Sequence, residues 1–412
     1  MTPPPGGTSG TSDTSDVVIL GGGAAGLSLA HRLTGTGATV TVVEPPDGPP
    51  RPAERTWCYW DTGRGDLDDV VCASWSVLRV HGADGRRVTV DPAPFTYRMV
   101  RSTAFEQRVH SLLARSPGGR LLRATADTVR DVPGGAVVRC TLPTGRHLTL
   151  RARRVFDSRP LPGLPPARTR MLQHFRGWFV HTDAARFDPA VADLMDFRVP
   201  QPAHGLAFGY VLPLAPDRAL VEYTEFSRTP LTTDAYEAAL GHYCHDVLGL
   251  GAFTVERTEQ GVIPMTDARF PLRTGKAVFR IGTAGGATRP ATGYTFAAVQ
   301  RQSRAIAAAL RDGHGTVPPP HGRRALAMDA VLLRALDTGR INGPDFFTRL
   351  FRRVPPERLL RFLDGATTPA EEGSIGLRTP VWPMLRTAAE LPFLPRRSHP
   401  SRPPARNGES HR

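Results

Sequence analysis

The chain has few cysteines and almost no lysine. Its 412 residues include four cysteines, Cys58, Cys72, Cys140 and Cys244, with no CxxC pair among them, so zinc ribbons and disulfide-built scaffolds are excluded and no metal site is predicted. Lys276 is the only lysine, and the basic residues are otherwise arginine. The arginines are spread along the chain without a recognition motif, so the formal charge of +14 does not indicate nucleic-acid binding.

Long apolar runs are also missing. No stretch of about 18 residues is apolar and free of charge, so no membrane-spanning helix is predicted. Residues 1–15 have neither the basic region nor the apolar core of a secretory signal. We therefore expect a cytoplasmic protein, soluble or bound at the surface of the cytoplasmic membrane. Both ends, residues 1–15 and 396–412, are polar and predicted to be disordered.

A glycine-rich turn follows the first predicted strand. Strand 16–20, helix 25–34 and strand 39–44 form a βαβ unit whose turn reads Gly21-Gly22-Gly23-Ala24-Ala25-Gly26. Gly21 permits the tight turn, Gly23 lets the backbone approach a pyrophosphate beside Ala24 and Ala25, and Gly26 permits close helix–strand packing. Glu44 ends the second strand, where a carboxylate binds ribose hydroxyls. The unit predicts a dinucleotide site without separating FAD from NAD.

A second loop favours FAD. It lies between a predicted strand and a long helix, and it contains the candidate cofactor residues Gly282, Thr283, Pro290, Gly293 and Tyr294. In two-segment flavoproteins a loop in this position brings backbone N–H groups to the flavin ring, and the helix N-terminus favours the negative charge of reduced flavin. An NAD-only dehydrogenase has no need of this second loop. The alternative interpretation is an ordinary loop with helix-capping residues.

The order of predicted elements indicates an α/β fold. We predict a two-segment Rossmann-like FAD-binding domain, an inserted β-rich substrate domain and a C-terminal helical part. The first domain is assigned residues 16–75, 95–160 and 255–312, the inserted domain 75–95 and 161–255, and the helical part 320–392.

Several motifs together resemble one known family. RTWCYW (55–60), VFDSRP (155–160), LQHFRGW (172–178), LVEYTEF (220–226) and RPATGYTF (289–296) are similar to those of bacterial lycopene cyclases. The resemblance extends over about residues 16–392. It implies cyclisation of the linear ψ end groups of lycopene to β-ionone rings, giving γ- and then β-carotene. The reaction has no net redox change but depends on reduced FAD, with NAD(P)H as the expected electron source.

This chemistry needs a buried acid. Ring formation protonates an isolated C=C bond, passes through a tertiary cation and ends with loss of a proton, so the acid must be desolvated and its pKa raised. Glu222, among apolar neighbours in LVEYTEF, is the predicted acid. Thr224 also matches the family's acidic motif, whereas Tyr223 replaces the second glutamate of the plant motif. Glu259 is a second candidate, as base or as an organiser of Glu222, with a surface ion pair as the alternative.

Aromatic side chains could hold a polyene and stabilise its cation. Trp57, Tyr59 and Trp60 form one group, and Trp178 and Tyr210 come from later strands. With Thr224 they are the predicted substrate contacts, and burial in an ordinary core is the alternative.

The last helical part has a basic amphipathic pattern. Residues 344–363 alternate Phe and Leu with Arg, which is typical of a helix lying on a membrane surface. We therefore predict peripheral contact with the membrane that holds the carotenoid. The alternative is a helix packed on the core with a charged outer face.

Another class of flavoprotein is the main rival. A flavin-dependent monooxygenase or prenyl reductase acting on another isoprenoid would share the fold. In many such hydroxylases the second loop reads Gly-Asp-Ala, whereas this chain has Gly282-Thr283-Ala284, so the aspartate that binds the ribityl chain is missing. A non-catalytic flavin- or carotenoid-binding protein would have no need of Glu222.

Overall fold

The computed structural model describes residues 13–48, 54–63, 65–314 and 316–398. Seventeen strands lie within these ranges: β1 (Asp13–Leu20), β2 (Val40–Glu44), β3 (Thr56–Asp61), β4 (Val71–Trp75), β5 (Val77–His81), β6 (Arg87–Val90), β7 (Thr96–Arg101), β8 (Gly119–Arg123), β9 (Thr125–Val132), β10 (Gly135–Thr141), β11 (His147–Asp157), β12 (Arg170–Thr182), β13 (Val191–Asp196), β14 (Leu206–Ala215), β15 (Arg218–Ser227), β16 (Phe253–Thr266) and β17 (Val278–Arg280). The α-helices within these ranges are α1 (Ala24–Leu33), α2 (Ser102–Arg115), α3 (Thr233–His242), α4 (Phe296–Arg311), α5 (Arg323–Asp337), α6 (Gly343–Arg353), α7 (Pro356–Leu363), α8 (Pro369–Gly376) and α9 (Val381–Glu390).

The first sheet draws its strands from three separate parts of the chain. Its order is β8-β2-β1-β11-β10-β9, and β17 pairs with the end of β11. β1 is parallel to both β2 and β11, so their carboxyl ends meet at one edge of the sheet. Val17 and Ile19 pack against α1, α2 and α4, while Val18 and Leu20 pack on the opposite side against β9–β11. Burial on both faces explains why β1 reads as a continuous apolar run.

The second sheet has the order β16-β12-β15-β14-β13-β5-β6. One face is covered by α3 and by the π-helical turn Tyr243–Val247 that follows it. The other face packs against the C-terminal helices and one side of a third sheet, β3-β7-β4. Strand β3 has residues in the core of each large sheet, so the third sheet joins the two.

The structure corrects three predicted boundaries. Residues 255–266 were predicted to lie in the first domain, but β16 pairs along its length with β12 and so belongs to the second sheet. Residues 13–15 were predicted to be disordered, but they extend β1 in register with β11. Near the other end, the backbone of Arg397 exchanges two hydrogen bonds with that of Ala167. Residues 1–12 and 399–412 of the predicted tails lie outside the described residues.

The predicted membrane-facing pattern of 344–363 is wrong. Its large apolar residues are buried in the core that α6 and α7 share with the second sheet: Phe346, Phe347, Leu350, Phe351, Leu359 and Leu360. The amphipathic pattern therefore marks a helix pair packed on the protein, with its arginines on the outer side. Among the described residues, no helix is long and apolar enough to cross a bilayer.

Candidate active site

The glycine turn after β1 is shaped by close backbone contacts. A Cβ at Gly26 would lie 1.9 Å from the carbonyl oxygen of Gly21, which itself has φ +102°. Gly23 faces open space instead, with nothing within 4 Å of where a Cβ would lie. No side chain of the described residues caps α1, so the N–H groups of Ala24 and Ala25 are available to an anion.

Glu44 lies directly over this turn. A Cβ at Gly22 would be 1.6 Å from Glu44 Oε2. Its Oε1 is 2.8 Å from Arg123 Nη1 and 3.1 Å from His110 Nε2. The carboxylate is buried, and these two side chains hold it at the carboxyl end of β2.

The second loop packs against the first. Gly282 has φ +64°, and a Cβ there would come within 2.7 Å of Ala25 Cβ. Thr283 is exposed, with its hydroxyl 3.3 Å from that of Thr288, and Pro290 is buried. The candidate cofactor residues of the two loops are thus adjacent, although more than 250 positions separate Ala25 from Gly282 in the sequence.

The end of the second loop reaches the second sheet. A Cβ at Gly293 would lie 2.0 Å from Gln173 Oε1 on β12. The next residue, Tyr294, packs edge-on against Trp60 with ring centroids 4.9 Å apart. The loop therefore joins the glycine turn of the first sheet to one face of the second.

Two carboxyl groups face each other on that same face. In the antiparallel register, Gly177 of β12 pairs with Glu222 of β15 on one side and with Glu259 of β16 on the other. Residues directly opposite in antiparallel strands project to the same face. Two strand spacings place the backbones of the two acids about 10 Å apart, and glycine leaves the space between them free of a side chain.

Glu222 is a buried acid whose charge is disfavoured. Burial raises its pKa to about 8, the negative charge of Glu259 acts in the same direction, and a hydrogen bond from Thr224 opposes them. Thr224 Oγ1 donates to Glu222 Oε1 at 2.5 Å. The carboxyl group is therefore mostly protonated at neutral pH, as a general acid must be.

Glu259 is less isolated. Burial raises its pKa too, but a hydrogen bond from Thr56 and the charge of Arg101 oppose the rise. Thr56 Oγ1 donates to Glu259 Oε2 at 2.7 Å. The pKa values of both carboxyl groups are thus raised, and the cation and hydroxyl beside Glu259 make it the easier of the two to ionise, which is the order that an acid–base pair needs.

Comparison with known proteins shows the family. A model of the lycopene cyclase protein family matches residues 16–389. The chain belongs to the lycopene cyclase family. A search of the curated proteins finds no significant match.

Solved structures with the same fold include a reductase-like protein, a monooxygenase and a flavoprotein. A geranylgeranyl bacteriochlorophyll reductase-like protein from Thermoplasma acidophilum is 14% identical with a TM-score of 0.63, covering 93% of this chain and 100% of that one. The p-nitrophenol 4-monooxygenase of Pseudomonas putida is 15% identical with a TM-score of 0.57, covering 93% and 100%. A flavoprotein/dehydrogenase from Cytophaga hutchinsonii is 12% identical with a TM-score of 0.59, covering 92% and 99%. The predicted Rossmann-like α/β fold is confirmed.

In this member of the lycopene cyclase family the predicted aromatic residues divide between two places. Tyr210 pairs with Glu222 across β14 and β15 and shares its face, and Trp60 lies in the same core. Trp57 and Tyr59 point to the other side of β3 and contact Phe296 of α4. They pack between the third sheet and the helices of the first, away from the two carboxyl groups.

Trp178 was predicted to contact substrate, and the structure places it on the wrong face. It follows Gly177 on β12, so its ring projects to the side opposite Glu222 and packs near Phe253. The same alternation sends Tyr223 away from Glu222, towards Glu225. Replacement of the second glutamate of the plant motif by Tyr223 therefore leaves the face of Glu222 unchanged.

Three residues of the site have no role predicted from the sequence: Gly177, Tyr97 and Cys58. Tyr97 Oη lies 2.7 Å from Tyr210 Oη. Burial raises the pKa of the Cys58 thiol, hydrogen bonding to Tyr210 and Tyr97 lowers it, and the charges of both acids raise it. The available signal was alternation in β3, which puts Cys58 on the same side as Trp60.

Proposed function

We propose that this protein is a FAD-dependent lycopene β-cyclase, which isomerises the ψ end groups of a linear carotenoid to β-ionone rings at the surface of a membrane. The observation that carries the proposal is the pair formed across Gly177 by Glu222, which is buried, and Glu259, which is half-buried. Two carboxyl groups with raised pKa values among apolar and aromatic side chains, one of which keeps its proton to about pH 8, suit the addition and removal of a proton on a hydrocarbon.

The cofactor assignment depends on the two glycine loops. The Gly21–Gly26 turn and the 282–294 loop would hold FAD, with Glu44 at the ribose. Their fit is supported by the close contacts of Gly26 with the Gly21 carbonyl oxygen and of Gly282 with Ala25 Cβ, which leave no room for a side chain at either glycine, and by the open space at Gly23. When bound in its reduced form, with NAD(P)H as electron source, FAD would supply negative charge that stabilises a cation.

In the proposed reaction the two glutamates take part in different steps. Glu222 gives its proton to the terminal C=C bond of the substrate, a new C–C bond closes the ring, and the tertiary cation loses a proton from a neighbouring carbon to a carboxylate. Glu259 is placed to accept that proton. Tyr210 and Trp60 present π faces to the cation and exclude water. No electrons are gained or lost overall, so product and substrate are isomers.

The decisive experiment uses bacteria engineered to accumulate lycopene, with and without this gene. Chromatography of the pigments should show conversion to β-carotene, and accumulation of γ-carotene would identify an enzyme that acts on one end. With purified protein in D2O, the product should have the molecular formula of the substrate, except that one deuterium replaces one hydrogen for each ring formed. Unchanged lycopene, with soluble flavin-bearing protein confirmed, would contradict the proposal and favour a redox enzyme acting on another isoprenoid.

A further inference from the structure

The exposed apolar side chains of the molecule are concentrated in one short segment. Among the described residues nine large apolar side chains are exposed, and five of them fall between residues 377 and 393. They are Leu377, Val381, Trp382, Leu385 and Phe393. Trp382 is 81% exposed and Phe393 86%, which is unusual for side chains of this size.

Helix α9 shows why these residues form one surface. Its inner side is fixed by Thr387, which is fully buried and accepts a hydrogen bond from Arg340, and by Leu391 just beyond the helix. Trp382 and Leu385 are spaced three apart, and Phe393 follows eight residues later. That spacing puts Trp382 and Leu385 on the side of α9 away from Thr387, and Phe393 lies in the short turn that follows the helix. We call this set, with Leu377 and Val381, the 377–393 surface.

The charges around this surface are predominantly basic. The neighbouring acids of α8 and α9 are engaged in ion pairs: Glu371 with Arg361, Glu372 with Arg324, and Glu390 with Arg334 and Arg340. Arg386 and Arg397 are exposed, and Arg378 donates to the backbone carbonyl of Ser374. A tryptophan and a phenylalanine beside such arginines are complementary to a layer of anionic headgroups over hydrocarbon.

We propose that the 377–393 surface docks on an anionic phospholipid bilayer, with Trp382 and Phe393 inserted at the level of the headgroups. The apolar faces of α6 and α7 are buried in the protein core. The proposed contact with the membrane is therefore made by α9 and the turns on either side of it. This assignment is independent of the cyclisation reaction. Vesicle binding is measured without carotenoid, so a failure here and a failure of the proposed function are distinguishable.

The first test is flotation of the full chain with vesicles of phosphatidylcholine alone or mixed with phosphatidylglycerol. The protein should float with the anionic vesicles. The double variant Trp382→Ser/Phe393→Ser should lower partitioning about tenfold or more, because the insertion of two aromatic side chains is lost. Arg386→Glu/Arg397→Glu should weaken binding at low salt and have less effect at high salt. Val262→Ser, an exposed apolar residue on β16, is the matched control and should bind as the wild type does.

The second test uses tryptophan fluorescence. The other four tryptophans, Trp57, Trp60, Trp75 and Trp178, are buried or half-buried, so acrylamide quenching reports mainly on Trp382. Anionic vesicles should reduce this quenching and shift the emission to shorter wavelength, and both changes should vanish in Trp382→Phe. Wild-type binding by the Ser double variant, or quenching unchanged by vesicles, would overturn the proposal. So would protection of Trp382 that grows with protein concentration and accompanies a doubled mass, because the surface would then bind a second copy of the chain.

Discussion

Each face of the second sheet carries a buried glutamate on β15, but the two carboxyl groups have different surroundings. Strand β15 places Glu222 on one face and Glu225 on the other, and both carboxyl groups are buried. Burial raises the pKa of Glu225, but hydrogen bonds from Ser227 and Tyr223 favour its ionised form. Glu222 instead faces a second carboxyl group across Gly177. Burial raises both pKa values, and the hydrogen-bond donors and charges beside each carboxyl group then decide how readily it keeps its proton.

The largest expected effect is on cyclisation activity, and it should distinguish Glu222 from Glu225. Glu222→Gln keeps the shape of the side chain but has no acidic proton, so cyclisation should fall about a thousandfold or more. Glu225→Gln should stay within a few fold of the wild type. Both variants should retain the absorbance of bound flavin. Cyclic product from Glu222→Gln at near the wild-type rate would show that Glu222 is not the acid.

The glycines of the two faces give the next contrast. A Cβ at Gly177 would come closest to the flexible end of Leu220, at 2.9 Å, and would lie 3.4 Å from Glu259 Cγ and 3.6 Å from Glu222 Cβ, so Gly177→Val should fold but fill the space between the acids. Its turnover should drop about a hundredfold because the reacting end group is displaced. A Cβ at Gly209 would lie 2.1 Å from the Tyr243 ring, so Gly209→Ala should lower the free energy of unfolding by ~2 kcal/mol. If both variants fold stably and lose the same activity, the proposal that only the face with Gly177 takes part in the reaction would be contradicted.

The pH dependence should follow Glu222. With a pKa of about 8, the reactive protonated form dominates below pH 8, so kcat/KM should fall tenfold per pH unit above it. The contribution of Glu222 to the free energy of unfolding should also fall as pH rises. The folded pKa exceeds the unfolded one, so the stabilisation is complete below the unfolded pKa, near 4.5, and is lost as pH rises through about 8. Thermal unfolding of Glu222→Gln should therefore show a smaller loss of stability over this range than the wild type.

The smallest expected effect concerns the hydroxyl beside the acid. Because the hydrogen bond from Thr224 lowers the pKa of Glu222, Thr224→Val should move the alkaline limb upward by about 0.7 pH unit, the equivalent of ~1 kcal/mol. Turnover below pH 7 should change only a few fold. Thr258→Val, at an exposed position on the opposite face of β16, is the control. An unmoved limb in Thr224→Val would mean that another group controls the profile.

Local patterns predicted the parts of this molecule that depend on local geometry. The βαβ unit, the glycine turn and the position of Glu44 are determined by neighbours in sequence, and the structure places them as the spacing predicts. The α/β fold and the family are confirmed as well. Glu222 was singled out by its apolar neighbours and by resemblance. Its role as acid stays a prediction.

The relation between strands was harder to predict. The row of Glu259, Gly177 and Glu222 arises from the register of three strands that are distant in sequence, which no local pattern specifies. Alternation separates Trp178 from Gly177, but both faces of the sheet are buried, so the pattern does not identify the face with the acids. The amphipathic helices α6 and α7 show the same ambiguity, because an apolar stripe fits a protein core as well as a membrane.

The interleaving of the sheets has a consequence for synthesis on the ribosome. The pairing of β5 with β13 forms only after β13 has been translated. The pairing of β11 with β17 forms later still, after the strands of the second sheet have been translated. Neither sheet can close from a contiguous stretch of chain, so folding depends on contacts of long sequence separation and the first sheet can be completed only after residue 280 has been translated. Nascent chains that stop before residue 280 expose the unpaired edge of β11 and are natural clients of chaperones.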